Sequence, residues 1–269
     1  MTNRFYRPDD QRAAQVQELF ATIARRYDLL NDVMSAGLHR HWKQRLVKLA
    51  SVGRLENFRS GAAPKAFGAA DNKPVVLDLC CGTGDIAFRL ARDELLPGRV
   101  VGVDFTAEML RVAAMRCNRA PARGGDGPRA GSRLQFVQAD ALRLPFADNS
   151  LAAVTVGYGL RNLADLEAGL REIRRVLRPG GRLVSLDFGK PESALWRKLY
   201  FAHLRFWVPT LGWLLAGDRQ AYAYILPSLE NYPGQRGVQA AMTQCGFVEC
   251  GFEEFVGGAM AINCGTKPQ

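Results

Sequence analysis

The chain has little with which to bind a metal or to staple itself together. It holds only three histidines, and its six cysteines form no C-x-x-C pair and have no histidine partners at zinc-finger spacing. No apolar stretch approaches the roughly 20 residues of a membrane-spanning helix, and the opening MTNRFYRPDDQ lacks the apolar core of a secretory signal. These absences predict a cytoplasmic protein with reduced thiols and no metal cluster. Acids are also outnumbered: 26 Asp and Glu face 36 Lys and Arg, leaving a formal charge of +10. That excess permits a nucleic acid or an anionic membrane surface as partner. Yet the Gly-, Pro- and Arg-rich stretch 117–133 has no aromatic residue among its arginines, as base stacking would require. It reads as a solvated loop, and no nucleic-acid partner is expected.

What is present suffices for one large domain and a smaller appendage: 269 residues, 48% of them hydrophobic. Val16, Leu19, Phe20 and Ile23 are spaced for a helix over 11–24, and 27–50 read as more helix, broken near Ser35–Gly37. The loose, Gly- and Ala-rich stretch 51–73 reads as a linker. Residues 1–73 are therefore assigned to a helical lid and linker, and 74–269 to the main domain.

From residue 75 an alternation sets in. VVLDLC (75–80), RVVGVDF (99–105), LQFVQAD (134–140), LAAVTVGYG (151–159) and GRLVSLDF (181–188) read as strands, the first wholly apolar but for one acid. Helical segments separate them; Thr106 is the expected N-cap of one, and another is expected to stop at Arg178-Pro179-Gly180-Gly181. FVECGFEEFV and AMAINCGTK flank Gly257-Gly258 as a terminal hairpin. The expected fold is α/β: a doubly wound, mostly parallel, seven-stranded sheet with one antiparallel strand contributed by the C-terminal hairpin.

Three carboxyl-edge acids and one turn carry the chemistry. VLDLCCGTGD ends a strand and opens a helix, the context in which a Gly-rich turn lets a ligand approach backbone. Asp78 precedes two small residues and Gly82-Thr83-Gly84; Ala87 stands where a nicotinamide fingerprint would have its third glycine. Asp104 ends the second strand, where a carboxylate can accept both ribose hydroxyls. Asp140-Ala141 ends the third, within reach of an adenine amino group. This ordered set resembles class I S-adenosylmethionine methyltransferases over roughly 75–269, with Cys80 where that class often has glycine. The resemblance implies S-adenosyl-L-methionine as cofactor, held by Asp78, Gly82, Thr83, Gly84, Asp104, Asp140 and Ala141.

A second resemblance is narrower. YDLLNDVMSAGLHRHW (27–42) is similar to the N-terminal signature of the ubiquinone/menaquinone biosynthesis C-methyltransferases (UbiE/MenG type), matched at Tyr27, Asp28, Asn31, Ser35, His39 and Trp42. Leu30 replaces the family's usual methionine. GLRN follows as Gly159–Asn162, RVLRPGG as 175–181, and Asp187 stands where many members carry glutamate. The resemblance implies methylation of a ring carbon on a prenylated quinol, a naphthoquinol being favoured over a benzoquinol. A ring hydroxyl that titrates near ~10 must lose its proton before the carbon is nucleophilic, and Arg161 is the candidate cation beside the phenolate. Its structural alternative is capping or pairing with Asp165. Asn162 contacts substrate or caps the next helix. Tyr27 is carried over from the family as a catalytic candidate; Asp28, His39 and Asp187 are other candidates for the base, which stays unassigned. A prenylated substrate implies transient contact with a membrane surface. The segment 195–215, within a substrate-facing insertion at 191–232, reads either as an interfacial helix or as a buried wall. A homo-oligomer stays open.

Overall fold

The computed structural model describes residues 17–21, 32–51, 74–96, 98–119, 133–216 and 225–269. Tyr27, Asp28, Asn31, the linker 52–73 and the loop 120–132 lie outside the described residues. In chain order the elements are α1 (Leu38–Ser51), β1 (Val75–Leu79), α2 (Asp85–Arg92), β2 (Arg99–Asp104), α3 (Ala107–Arg119), β3 (Leu134–Gln138), β4 (Leu151–Gly157), α4 (Leu166–Val176) and β5 (Leu177–Phe188). Then come α5 (Ala194–Ala216), α6 (Ile225–Asn231), α7 (Gly234–Gln244), β6 (Val248–Phe255) and β7 (Met260–Thr266).

The strands form one seven-stranded sheet in the order β3-β2-β1-β4-β5-β7-β6. β1 pairs in parallel with both β2 and β4, and β7 alone runs against its neighbours β5 and β6. The strand order reverses between β1 and β4, so a crevice opens at the carboxyl edge there. Alternation along the strands sorts two cores. Leu77, Leu79, Val154 and Val156 join Leu170 and Ile173 of α4 and Val238 of α7 on one face. Val76, Ala153 and Val184 join Trp42 and Leu46 of α1 and Ile86 and Leu90 of α2 on the other. Each fully buried leucine of these layers stabilises by about 1.5–3 kcal/mol.

Several boundaries differ from the sequence reading in instructive ways. The chain does turn at 35–37, with Ala36 and Gly37 in the left-handed region (φ 48° and 78°), and Thr106 directly precedes α3, its carbonyl accepting from Leu110 N–H. Arg178–Gly181, however, do not merely stop a helix. α4 ends at Val176 and β5 begins at once, Leu177 pairing with Leu151 before a register shift that absorbs Gly180 (φ 71°). Nor does Asn162 cap α4. Residues 160–162 make a short 3-10 turn, and Asp165 is the cap, its side chain accepting from Ala168 N–H.

Candidate active site

A cleft with about 910 Å³ of open space lies at the carboxyl edge of β1–β4. Of the residues singled out in the sequence, Gly82, Asp104, Asp140, Ala141 and Asn162 line it. Asp78, Thr83, Gly84 and Arg161 do not. The lining also includes Gln17, Phe20, Phe105, Met109, Leu142 and Tyr158, which local sequence reasoning passed over. The aromatic between two glycines in GYG was the available signal for Tyr158.

Asp104 organises one wall. Its Oδ2 accepts the Gly82 N–H and its Oδ1 the Thr106 N–H, both at 2.8 Å. Burial raises its proton affinity, opposed by those backbone donors. The Thr106 hydroxyl and the Phe105 amide act on the same carboxylate, which borders the cleft. Gly82 itself leaves open space where a side chain would project, with nothing within 4 Å. Gly84, at φ 86°, caps α2, and an added Cβ would sit 3.0 Å from both Phe136 Cζ and Phe88 Cε2. Its role is to let the turn pack, and Thr83 is likewise buried, held by Arg116. Asp140 Oδ1 accepts the Leu142 N–H. Cys80 lines the cleft, and burial, with Asp104 next, pushes its thiol well above the usual range, so it stays protonated.

The opposite wall comes from the end of β4. Tyr158 is held at φ 62°, a strained position for an aromatic residue, by its N–H bond to Leu186 O at 2.7 Å. An added Cβ on Gly159 would stand 2.6 Å from Cys80 Cβ, so glycine lets β4 approach the turn. The Asn162 amide donates to Tyr158 O at 3.3 Å. Arg161 points away from the cleft. It is 4% exposed, and its Nη1 donates to Asp187 Oδ1 at 2.6 Å and to Tyr158 O at 2.8 Å. Its guanidinium lies 4.7 Å from the Phe188 ring centroid. The expected alternative partner, Asp165, is instead the helix cap. Asp187 Oδ1 accepts from Arg161 Nη1 and from Phe188 N–H, and its Oδ2 accepts from Arg161 N–H. His39 is packed as well: its Nδ1 is 2.7 Å from Ser35 Oγ, and burial lowers its proton affinity.

Residues 8–267 match the model of the ubiE/COQ5 methyltransferase family. The chain belongs to that family. It is 37% identical over 261 residues to a Pseudomonas putida relative named ubiquinone/menaquinone biosynthesis C-methyltransferase UbiE, covering 97% of this chain and 92% of that one. It is 36% identical over 260 residues to the demethylmenaquinone methyltransferase of Desulfitobacterium hafniense, covering 96% and 92%. Among solved structures it is similar to the [4+2]-cyclase SpnF, at a TM-score of 0.55 and 19% identity over 95% of this chain and 96% of that one. It also resembles a phosphoethanolamine N-methyltransferase of Haemonchus contortus solved with S-adenosyl-L-methionine, at a TM-score of 0.53 and 16% identity over all of this chain and 60% of that one. At such identities these two speak for the fold alone. As a member of the ubiE/COQ5 family the chain is an S-adenosylmethionine-dependent C-methyltransferase of quinone biosynthesis.

The cleft fits that cofactor in its chemistry. Asp104 sets a carboxylate in its wall, and Phe105, Met109 and Leu142 supply apolar surface for a flat base.

Proposed function

We propose that the protein methylates the ring carbon of a prenylated naphthoquinol, converting a demethylmenaquinol, or its phytyl equivalent, to the methylated quinol. The observation that carries this choice is that menaquinone chemistry is common to the names of both classes of relative, whereas ubiquinone stands in one of them. S-adenosylmethionine supplies an electrophilic methyl group when bound. Asp104 accepts the ribose hydroxyls, Asp140 and Ala141 border the base, and Gly82 gives backbone access. Asn162 and Tyr158 face the acceptor side. Arg161 acts from behind them: its buried charge, anchored by Asp187, favours loss of the ring hydroxyl's proton. Tyr27 is the further catalytic candidate. The purified protein, given equal concentrations of demethylmenaquinol and the demethylated benzoquinol under reducing conditions, is expected to methylate the naphthoquinol faster. Equal or faster turnover of the benzoquinol overturns the preference.

The quinol's tail implies a partner surface, and we propose α5 as the element that meets it. Among the described residues none of 191–232 lines the cleft, and no helix is long and apolar enough to cross a membrane. α5 buries Tyr200 and Leu204, yet Leu195, Leu199, Phe206 and Trp207 are more than half exposed. The helix contains no acid and exposes Arg197, Lys198 and Arg205 beside those side chains. Apolar and cationic groups on one helix suit an anionic lipid surface. Substituting Phe206→Ser and Trp207→Ser together should weaken binding to anionic phospholipid vesicles by about tenfold or more, with methylation of a short-tailed quinol in solution unchanged. Vesicle flotation checks this, and wild-type flotation by the double variant removes α5 from the contact.

A further inference from the structure

A buried ammonium stands behind the cofactor turn. The turn 80–84 is bracketed by two acids, Asp78 in β1 and Asp85 at the start of α2. Asp78 is 1% exposed, shares the face of the sheet that α1 and α2 cover, and accepts from Thr155 Oγ1 at 2.9 Å. Its Oδ2 completes no hydrogen bond among the described residues. Lys43, on the buried face of α1, places Nζ 2.8 Å from Asp85 Oδ2 with only 5% of its side chain exposed. The same Nζ is 6.0 Å from the ring centroid of Tyr158 in the cleft wall, and its charge acts on Asp78. One side chain from the N-terminal segment therefore pairs with the α2 end of the glycine turn, lies beside the end of β4, and acts by its charge on the acid at the turn's other end. Burying an ammonium is costly unless acids hold it. Trp42, Leu46 and Val47 already pack α1 against the sheet, so packing alone does not call for a lysine at position 43.

We propose that Lys43 is a positioning residue for the cofactor site: its ammonium holds Asp85 at the α2 end of the turn, acts by its charge on Asp78 at the other end, and so keeps the Gly82 N–H on Asp104. This rests on the reading that Asp104 and the turn hold S-adenosylmethionine. The groups acting on Asp78 are Lys43 from α1, Asp85 and the Ala87 amide from α2, Thr155 from β4, and the neighbouring thiols Cys80 and Cys81; His39 flanks Lys43. Burial lifts the Asp78 carboxyl to about 7, against Thr155, Ala87 and Lys43. Without Lys43 the charge of Asp85 acts on Asp78 with no ammonium to offset it, and Asp78 takes up its proton at still higher pH.

The test is calorimetric titration of S-adenosylhomocysteine into the full chain between about pH 6 and 9, a window set by the Asp78 carboxyl. Wild-type affinity is expected to fall as pH drops through about 7. Lys43→Met should bind about tenfold or more weakly at neutral pH, with the fall displaced to higher pH, and Lys43→Arg should restore most of the affinity. Asp85→Asn should weaken binding as well, and combining it with Lys43→Met should add little. A role in helix packing alone would lower the melting temperature and leave the folded protein's affinity and pH profile unchanged; that result overturns the proposal. Should Lys43→Met fail to fold, wild-type affinity in Asp85→Asn overturns it equally. Failure of the wild type to bind S-adenosylhomocysteine would instead overturn the reading of the cofactor site.

Discussion

Arg161→Ala is expected to cost about 3–5 kcal/mol of folding stability and to eliminate methyl transfer. The stability loss follows from what stays behind. Asp187 is 4% exposed and receives its shortest bond from Arg161 Nη1 at 2.6 Å, so removing the cation strands a carboxylate where water does not reach. The Phe188 ring, 4.7 Å from the guanidinium, loses its cation as well. Denaturant unfolding of the variant measures the loss. A second variant separates structure from chemistry: Arg161→Met with Asp187→Leu replaces the pair by apolar groups of similar size, which often restores stability. That double variant should recover most of the lost stability, bind S-adenosylhomocysteine normally, and still fail to methylate. Full turnover by it would remove Arg161 from the mechanism, and unchanged stability in Arg161→Ala would contradict the buried pair.

The second large effect is a pH dependence set by Asp78. Its carboxyl is lifted from 3.8 to about 7, chiefly by burial. Between those values the folded chain holds a proton that the unfolded chain has released, so this group's contribution to stability falls as pH rises from about 4 to about 7. Asp78→Asn resembles the protonated form at every pH. Relative to wild type, the variant is therefore expected to gain stability with rising pH, by up to about 4 kcal/mol at pH 8. Urea unfolding of both proteins at pH 5 and pH 8 checks the sign; a difference that shrinks toward pH 8 contradicts it.

How far the site was legible in the sequence depends on how local its parts are. β1 and β4 announce themselves because strands covered on both faces must be continuously apolar, and Gly82–Gly84 because the turn needs left-handed backbone. Asp104 could be placed because it ends a recognisable strand. Lys43–Asp85 and Arg161–Asp187 could not: 42 and 26 residues separate the partners, and no periodicity links them. The sequence offered Arg161 a structural partner only in its near neighbour Asp165, as the alternative to a cation beside the phenolate. The fold gives Asp165 to the helix cap and turns Arg161 toward β5 instead. Asp78 shows the complementary failure. It belongs to a recognisable motif, yet alternation along β1 aims it at the α1 and α2 layer, away from the cleft.

The reversal of β7 also decides where the molecule can be held. Because β7 runs against β5, its last residue, Thr266, pairs with Arg182 near the start of β5, at the edge of the sheet opposite the cleft. Lys267 then fastens the tail there, its Nζ donating to Asn149 Oδ1 and Leu177 O, both at 2.7 Å. A surface anchor or fluorophore joined after Gln269 would leave from the rear of the sheet, with the cofactor mouth facing outward. Ligand exchange on an immobilised layer of this protein should therefore match exchange in free solution.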